Sequence, residues 1–357
     1  MKTLAIDCRM AQMSGIGVYL RNLVPLCMAA MPDVHFRLLG YDDAFDIPPS
    51  CTWDAVPFAA PIYSIAEQRE ILPKLRGCQA LWTPHYPVPV LAHVPLIVTV
   101  HDVAHLALRD LYGGAKRLYA TTMFQVTRHK AAELIFVSEF TRQEFLRYVG
   151  KPRGTATVVH NGVDAHWRKT VLQDRREPPY FLAVGNIKPH KNIHFLCEAF
   201  AGISENCGAN LVFIGSHDGF RVGEISTEKL MNICPGRIQF TGHISQDKLV
   251  SLMGKAAALV FPSRYEGFGL PLLEALAAGV PVIASDIHVS REVCDHFAEY
   301  VLLDNKEQLG KKLREVLTLS SEDRRIRGEQ GRNWASRFTW EKAAEATVPL
   351  LRRGLQR

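Results

Sequence analysis

The sequence predicts an α/β protein of two doubly wound, Rossmann-like domains facing one another across a central cleft. Three observations carry that expectation. The chain has 357 residues, more than a single hydrophobic core usually serves, so two domains are the default. Short apolar runs alternate with helix-period stretches, which implies parallel strands joined by right-handed crossovers. The alternation occurs twice, on either side of a polar, proline-containing stretch, without close sequence repetition.

In the first series the expected strands are residues 4–7, 36–39, 80–82, 96–100, 134–137 and 156–159. Each is short and apolar, as strands covered on both faces are. Asn161-Gly162-Val163-Asp164 is a turn signal, and the polar run 168–179, ending in Glu177-Pro178-Pro179, reads as the linker. The second series is 180–184, 210–214, 238–241, 257–261, 280–284 and 300–302. Thr339 reads as the N-cap of a last helix with little that is turn-like before Pro349. Domains are therefore expected at 1–170 and 171–338, followed by a helix at 339–357.

Apolar residues at 47% and charged residues at 22% are those of an ordinary globular protein. No stretch reaches the ~18 apolar residues of a membrane span, and residues 1–7 are too short an apolar run for a signal peptide, so the expected location is the cytoplasm. Cys8, Cys27, Cys51, Cys78, Cys197, Cys207, Cys234 and Cys294 form no C-x-x-C pair, which argues against zinc and a disulfide framework and for reduced, buried side chains. The net charge of +6 comes with no dense Lys/Arg tract, so nucleic acid is not an expected partner. Residues 109–133 place Lys116, Arg117, Arg128, His129 and Lys130 among Leu118, Tyr119, Met123, Phe124 and Val126. That is the composition of a basic amphipathic helix on an anionic membrane, or equally of a solvated helix face.

The most informative segment runs from Pro262 to Leu276, joining an apolar strand to a helix through Glu266-Gly267-Phe268-Gly269-Leu270-Pro271. Pro271 suits the first helical position, and Gly267 and Gly269 let the backbone approach a ligand. The amides of Phe268 to Leu272 then lie at a helix N-terminus, where a diphosphate is favoured. A carboxylate cannot share that anion pocket, so Glu266 and Glu274 are expected to accept from hydroxyls, Glu266 of the sugar and Glu274, in the first helical turn, of the ribose. Glu266 and Glu274 with seven residues between them, around Gly-Phe-Gly-Leu-Pro, resemble the signature of the retaining glycosyltransferases of family 4, whose fold is called GT-B.

Other segments fit the resemblance. Gly15-Ile16-Gly17 follows the first strand; it lacks a third dinucleotide glycine, Leu20 standing there, but matches the glycine loop that faces the donor in family 4. His101 and Asp102 end a strand, where ligands bind in open α/β sheets, and the resemblance puts His101 beside the donor sugar. His101, Asp102 and His105 have metal-ligand types but no visible further ligand. For Ser138 and Thr141, helix capping is the expected role. Gly185-Asn186-Ile187-Lys188-Pro189-His190-Lys191 follows a strand end, and its lysines would compensate a diphosphate leaving group. Asn186 stands where many family members have arginine, which makes Lys191 the first phosphate contact and Lys188 the second. Gly215-Ser216 and Gly242 match turns that flank the base.

These readings imply a metal-independent enzyme with His101, Lys191 and Glu266 as its catalytic groups. Same-face attack is preferred to a covalent intermediate by family analogy. The pieces Glu67-Gln68, Leu81-Trp82-Thr83-Pro84-His85-Tyr86 and Gly185 to Asn192 look like bacterial O-antigen mannosyltransferases. That likeness implies GDP-mannose as donor, GDP-rhamnose, GDP-fucose or a UDP-sugar as alternatives, and a polysaccharide or lipid-linked acceptor. His85, Tyr86 and Asp102 would lie on the acceptor side, although an aromatic there is also consistent with core packing. A non-hydrolysing sugar-nucleotide epimerase and a non-catalytic nucleotide-sugar binder are the competing functions.

Overall fold

In the computed structural model, which describes residues 1–169, 178–215 and 226–357, every strand pairs in parallel with its neighbours. The chain divides into two units, one formed by Met1–Gly162 with Phe338–Arg357 and the other by Val163–Arg337.

The first unit holds β1 (Lys2–Asp7), β2 (Val34–Leu39), β3 (Thr52–Val56), β4 (Ala80–Thr83), β5 (Leu96–Val100), β6 (Ala131–Phe136) and β7 (Thr155–Val158), in the order β3-β2-β1-β4-β5-β6-β7. The second holds β8 (Tyr180–Val184), β9 (Asn210–Ile214), β10 (Ile238–Phe240), β11 (Ala258–Phe261), β12 (Val282–Ser285) and β13 (Glu299–Val301), in the order β10-β9-β8-β11-β12-β13. Both sheets reverse direction of build once, between β1 and β4 and between β8 and β11. Those are the points where the loops after the strands diverge and leave a crevice. The central strands are fully buried, which is why they read as apolar runs. β3 escaped the sequence reading because it is a half-exposed edge strand, its Asp54 paired with His35 and Arg37 of β2.

The expected boundary at 170 is corrected to Gly162/Val163. The short helix Ala165–Arg168 packs on the helix Leu270–Ala277 and buries Trp167, so it belongs to the second unit. Most of the expected linker, 170–177, lies outside the described residues. The last helix, Trp340–Gln356, is capped by Thr339, which accepts from the Lys342 N–H at 3.2 Å, and packs on the helix Ile16–Ala29 of the first unit. Arg353 and Arg357 of that last helix meet the buried Glu133 of β6 at 2.9 and 3.3 Å. A Cβ on Gly162 would lie 2.2 Å from the Trp340 nitrogen, so only glycine allows the chain to leave the first unit beside the point where it returns.

All eight cysteines are free, Cys51 and Cys207 being only partly buried. Among the described residues no helix is long and apolar enough to cross a membrane. The helix Gly114–Lys130 buries Ala120, Met123, Phe124 and Thr127. Its basic residues do not form one free stripe. Arg128 donates to the Lys151 carbonyl at 2.9 Å and Lys130 to that of Val90, which leaves Lys116 and Arg117 beside Leu118, 69% exposed.

Candidate active site

In the second unit, β8 runs into Gly185 (φ 135°), whose N–H donates to the Ile214 carbonyl at 2.8 Å. A Cβ on Gly215 (φ 151°) would meet the Gly185 oxygen at 2.2 Å, so the β8 and β9 loops touch because residue 215 is glycine. A single turn, Pro189–Lys191, leads through the left-handed Asn192 (φ 55°) into the helix Ile193–Cys207. On the neighbouring strand β11, residues 262–269 lead through Gly269 (φ 92°) into Leu270–Ala277. The Arg264 N–H donates to the His190 carbonyl at 2.7 Å and joins the two loops.

Their junction brings Lys191 Nζ to 2.5 Å from Glu266 Oε1, with side chains 18% and 13% exposed. The contact is an ion pair without hydrogen-bond geometry. Lys191 also lies over the Phe261 ring, 5.1 Å from its centroid. Each member therefore holds the other in place while keeping bonding capacity for a ligand: the ammonium for an anion, the carboxylate for hydroxyls. Lys188, half-buried, precedes the same turn, and Asn186 has a partner of its own.

Two expectations about the helix start are corrected. Pro271 is the second helical residue and has no N–H, while the Leu272 N–H already donates to the Gly269 carbonyl at 3.0 Å. The Phe268 ring is buried, and at the helix start the amides of Gly269 and Leu270 have no backbone partner among the described residues. Glu274 sits in the second turn rather than the first, half-buried, and burial, then the charge of Asp164, pushes its pKa up to about 7.

In the first unit, His101 follows β5 with its ring edge-on to Tyr19, centroids 4.9 Å apart. Burial pushes its pKa down to about 4 against the opposing effects of Asp102 and a hydrogen bond to the Pro84 backbone, so the ring is neutral at pH 7. Its Nε2 is buried without a partner. Thr141 donates to the His101 carbonyl at 3.2 Å, and Ser138 caps the helix Glu139–Tyr148, the capping role expected of it. Gly15 (φ 73°) caps the helix Ile16–Ala29 with open space around it, whereas Gly17 is packed: a Cβ there would lie 2.6 Å from the Ala11 oxygen.

The acceptor-side expectations need adjustment. His85 is 3% exposed, with Nε2 3.3 Å from Asp7 Oδ2, and Tyr86 is 8% exposed, stacked on Phe124 at 4.1 Å with its hydroxyl 3.3 Å from His105 Nδ1. Both side chains, in the loop after β4, are packed into the interior of the first unit. Asp102, half-buried, accepts from the Ala104 N–H at 2.9 Å. His101, Asp102 and His105 form no metal cluster. Among the described residues the grouping with ligand atoms close together is Asp7, Glu67 and His85, and the cation within it is Arg9, 2.6 Å from Asp7 and 2.5 Å from Glu67. Burial opposes the charge on Asp7, but the hydrogen bonds from Arg9 and His85 hold its carboxyl well below the usual carboxylate range. Nothing in the sequence groups Asp7, Arg9 and the carboxylate of Glu67 as a unit, since Glu67 lies on a separate segment from the other two.

Residues 13–167 match the family model described as Glycosyltransferase Family 4, and residues 168–334 that described as Glycosyl transferases group 1. The chain belongs to glycosyltransferase family 4. Among relatives of this glycosyltransferase, the O-antigen chain mannosyltransferase RfbU of Salmonella typhimurium is 26% identical over 71% of this chain and 69% of its own length. Sucrose-phosphate synthase from Thermosynechococcus elongatus superposes with a TM-score of 0.74 at 20% identity over 99% of both chains. Anabaena HepE in complex with UDP-glucose does so with a TM-score of 0.75 at 13% identity, over 99% of this chain and 100% of that one. The structural likenesses show the GT-B fold, as the motifs implied. The two family models support a glycosyltransferase that uses a nucleotide sugar.

Proposed function

We propose that this glycosyltransferase moves mannose from GDP-mannose, with retention of configuration and without a metal ion, to a hydroxyl of a growing bacterial polysaccharide carried on a lipid. The observation that carries the reading is the Lys191–Glu266 pair at the point where the second sheet reverses. A diphosphate beside Lys191 and the amides of Gly269 and Leu270 gains a preorganised positive environment, worth most as negative charge develops on the leaving group. Lys188 and Asn186 line the approach. Glu266, released from Lys191, accepts from a sugar hydroxyl, and Glu274 accepts from the ribose. On the first unit, the unpartnered Nε2 of neutral His101 is assigned to a substrate hydroxyl. No carboxylate is assigned as nucleophile, so the acceptor attacks the face the diphosphate leaves, and a phosphate oxygen takes its proton. The RfbU likeness supports mannose, while the UDP-glucose bound to HepE, a distant fold relative, keeps other donors in the test.

The test is a thermal-shift panel of GDP-mannose, GDP-fucose, GDP-rhamnose and UDP-glucose, followed by NMR of the product's anomeric centre. A donor at a hundred times its Kd stabilises the fold by about 2.7 kcal/mol. Stabilisation by UDP-glucose alone would overturn the donor assignment, and a product of inverted configuration the mechanism.

A further inference from the structure

Among the described residues, five other than glycine have positive φ; four are Asp43, Asn192, Asp295 and Asp304, and the fifth is Tyr63 (φ 66°). Asp and Asn tolerate this backbone, whereas a bulky aromatic there is strained, and such strain persists only where surrounding structure enforces it. The enforcement is visible. Glu67 Oε2 accepts from the Tyr63 N–H at 2.9 Å, and Glu67 Oε1 is held by Arg9 Nη2 at 2.5 Å. Arg9 in turn forks onto Asp7 at 2.6 and 2.9 Å, donates to the Ala60 carbonyl at 2.8 Å and lies 3.8 Å over the Phe58 ring. Asp7, Arg9 and Glu67 side chains are all 5% exposed or less, so a buried charge network fixes the turn that carries Tyr63.

What that turn presents is a ring. Tyr63 is 44% exposed and lies 5.9 Å from Tyr86, which is itself stacked on Phe124, so it ends a column of rings that rises from the core. Tyr119 stands edge-on to it at 6.1 Å, with a buried hydroxyl that has no partner, and the His105 ring stands edge-on at 6.4 Å, in the short helix whose Ala104 N–H donates to Asp102. An exposed aromatic face bordered by a few convergent polar groups suits a molecule with an apolar C–H face and hydroxyl edges.

We propose that Tyr63 is the stacking platform for the acceptor sugar, a pyranoside whose C–H face covers the ring while its hydroxyls reach Asp102 and Tyr119, with Arg9 and Glu67 as positioning residues. The proposal rests on the polysaccharide acceptor proposed above. It also explains why a strained tyrosine stands where glycine would fold more easily.

The experiment uses methyl α-D-mannopyranoside and methyl α-D-glucopyranoside as probes, with sorbitol as an open-chain control, in saturation-transfer NMR on the wild type, Tyr63→Gly, Tyr63→Asn and Tyr63→Trp. Saturation should reach the ring C–H protons of the pyranosides and not sorbitol. Tyr63→Gly and Tyr63→Asn, which suit the backbone, should keep Tm unchanged or raised and weaken pyranoside binding by roughly two- to twelvefold, the worth of one aromatic contact. Tyr63→Trp should retain binding. The GDP-mannose thermal shift should be the same in all four, so failure of the donor reading registers separately. Undiminished pyranoside binding in both ring-less variants, equal saturation of sorbitol, or no pyranoside contact in the wild type would overturn the proposal.

Discussion

Glu274 makes a prediction in which stability and binding move in opposite directions. Its pKa is raised from the ordinary 4.5 to about 7, first by burial and then by Asp164, which corresponds to about 3 kcal/mol of preference for the neutral form in the folded chain. The sign follows from linkage. Below pH 4.5 the carboxyl is protonated folded or unfolded and contributes nothing; as pH rises towards 7 the unfolded chain loses the proton and the folded chain keeps it, so stability falls, and above 7 the loss is constant. Glu274→Gln removes that penalty and should raise Tm by several degrees at pH 8 while leaving it unchanged at pH 4. Nucleotide binding should show the reverse. Ribose hydroxyls bond best to the carboxylate, so GDP affinity of the wild type should climb between pH 5.5 and 7.5, by up to about tenfold per pH unit, and Glu274→Gln should weaken GDP binding at pH 8 by the ~1–3 kcal/mol of a charged hydrogen bond. Comparing the two proteins at each pH cancels the titration of the phosphates. The assays are thermal unfolding and isothermal titration with GDP across that range. A Glu274→Gln variant less stable than wild type at pH 8, or equal GDP affinity in the two proteins at pH 8, would refute the reasoning.

Lys191→Met should lower turnover by roughly a hundredfold or more and also destabilise the fold, since Glu266 loses its partner at 2.5 Å; adding Glu266→Gln should restore Tm but not activity, as read by thermal unfolding and initial rates. Activity should persist in excess chelator, because the described cluster of carboxylates and histidine already encloses Arg9 and the diphosphate site is built from lysine and amides; a strict need for magnesium or manganese would count against that site. Binding to anionic vesicles should depend on Lys116 and Arg117, each contributing about 1 kcal/mol, so changing both to glutamine should cut sedimentation affinity about thirtyfold while Arg128→Gln and Lys130→Gln leave it nearly unchanged.

Much of the second unit's site was legible because local backbone rules and ligand rules demand the same residues. Gly269 at φ 92°, Pro271 in the first turn and the glutamates on either side lie within one stretch, so neighbouring positions carry the whole pattern. Lys191 was legible for the same reason, although its pairing with Glu266 was not, since that depends on β8 and β11 lying side by side. The charge network of the first unit left no such trace. Asp7, Glu67 and His85 come from the end of one strand, the start of a helix and the loop after another strand, and each alone is an ordinary polar residue. Tyr63 was hidden more completely, because nothing in a sequence marks a tyrosine as left-handed. On the helix Gly114–Lys130 the sequence shows the basic residues but not their partners: Arg128 and Lys130 donate to the carbonyls of Lys151 and Val90, segments distant in the chain.

The two sheets use ionic groups at the same topological position for different ends. At the first, Arg9 is forked onto Asp7, shares a donor with Glu67 and is 5% exposed, and exchanging any partner for a ligand would strand a buried charge. Such a network can only set shape, which is why its consequence appears one step away, in the backbone of Tyr63. At the second, Lys191 and Glu266 share a single off-axis contact and keep 18% and 13% of their surfaces open, so each can turn to a substrate group at small cost. Geometry of the ion pair, more than its residue types, separates a pair that positions from one that binds. By that criterion Arg9→Lys, which preserves charge but removes the fork, should raise acceptor KM with kcat and GDP affinity unchanged, whereas Lys191→Arg should alter kcat and GDP affinity together. If Arg9→Lys instead lowers GDP affinity, the division of labour between the two networks is wrong.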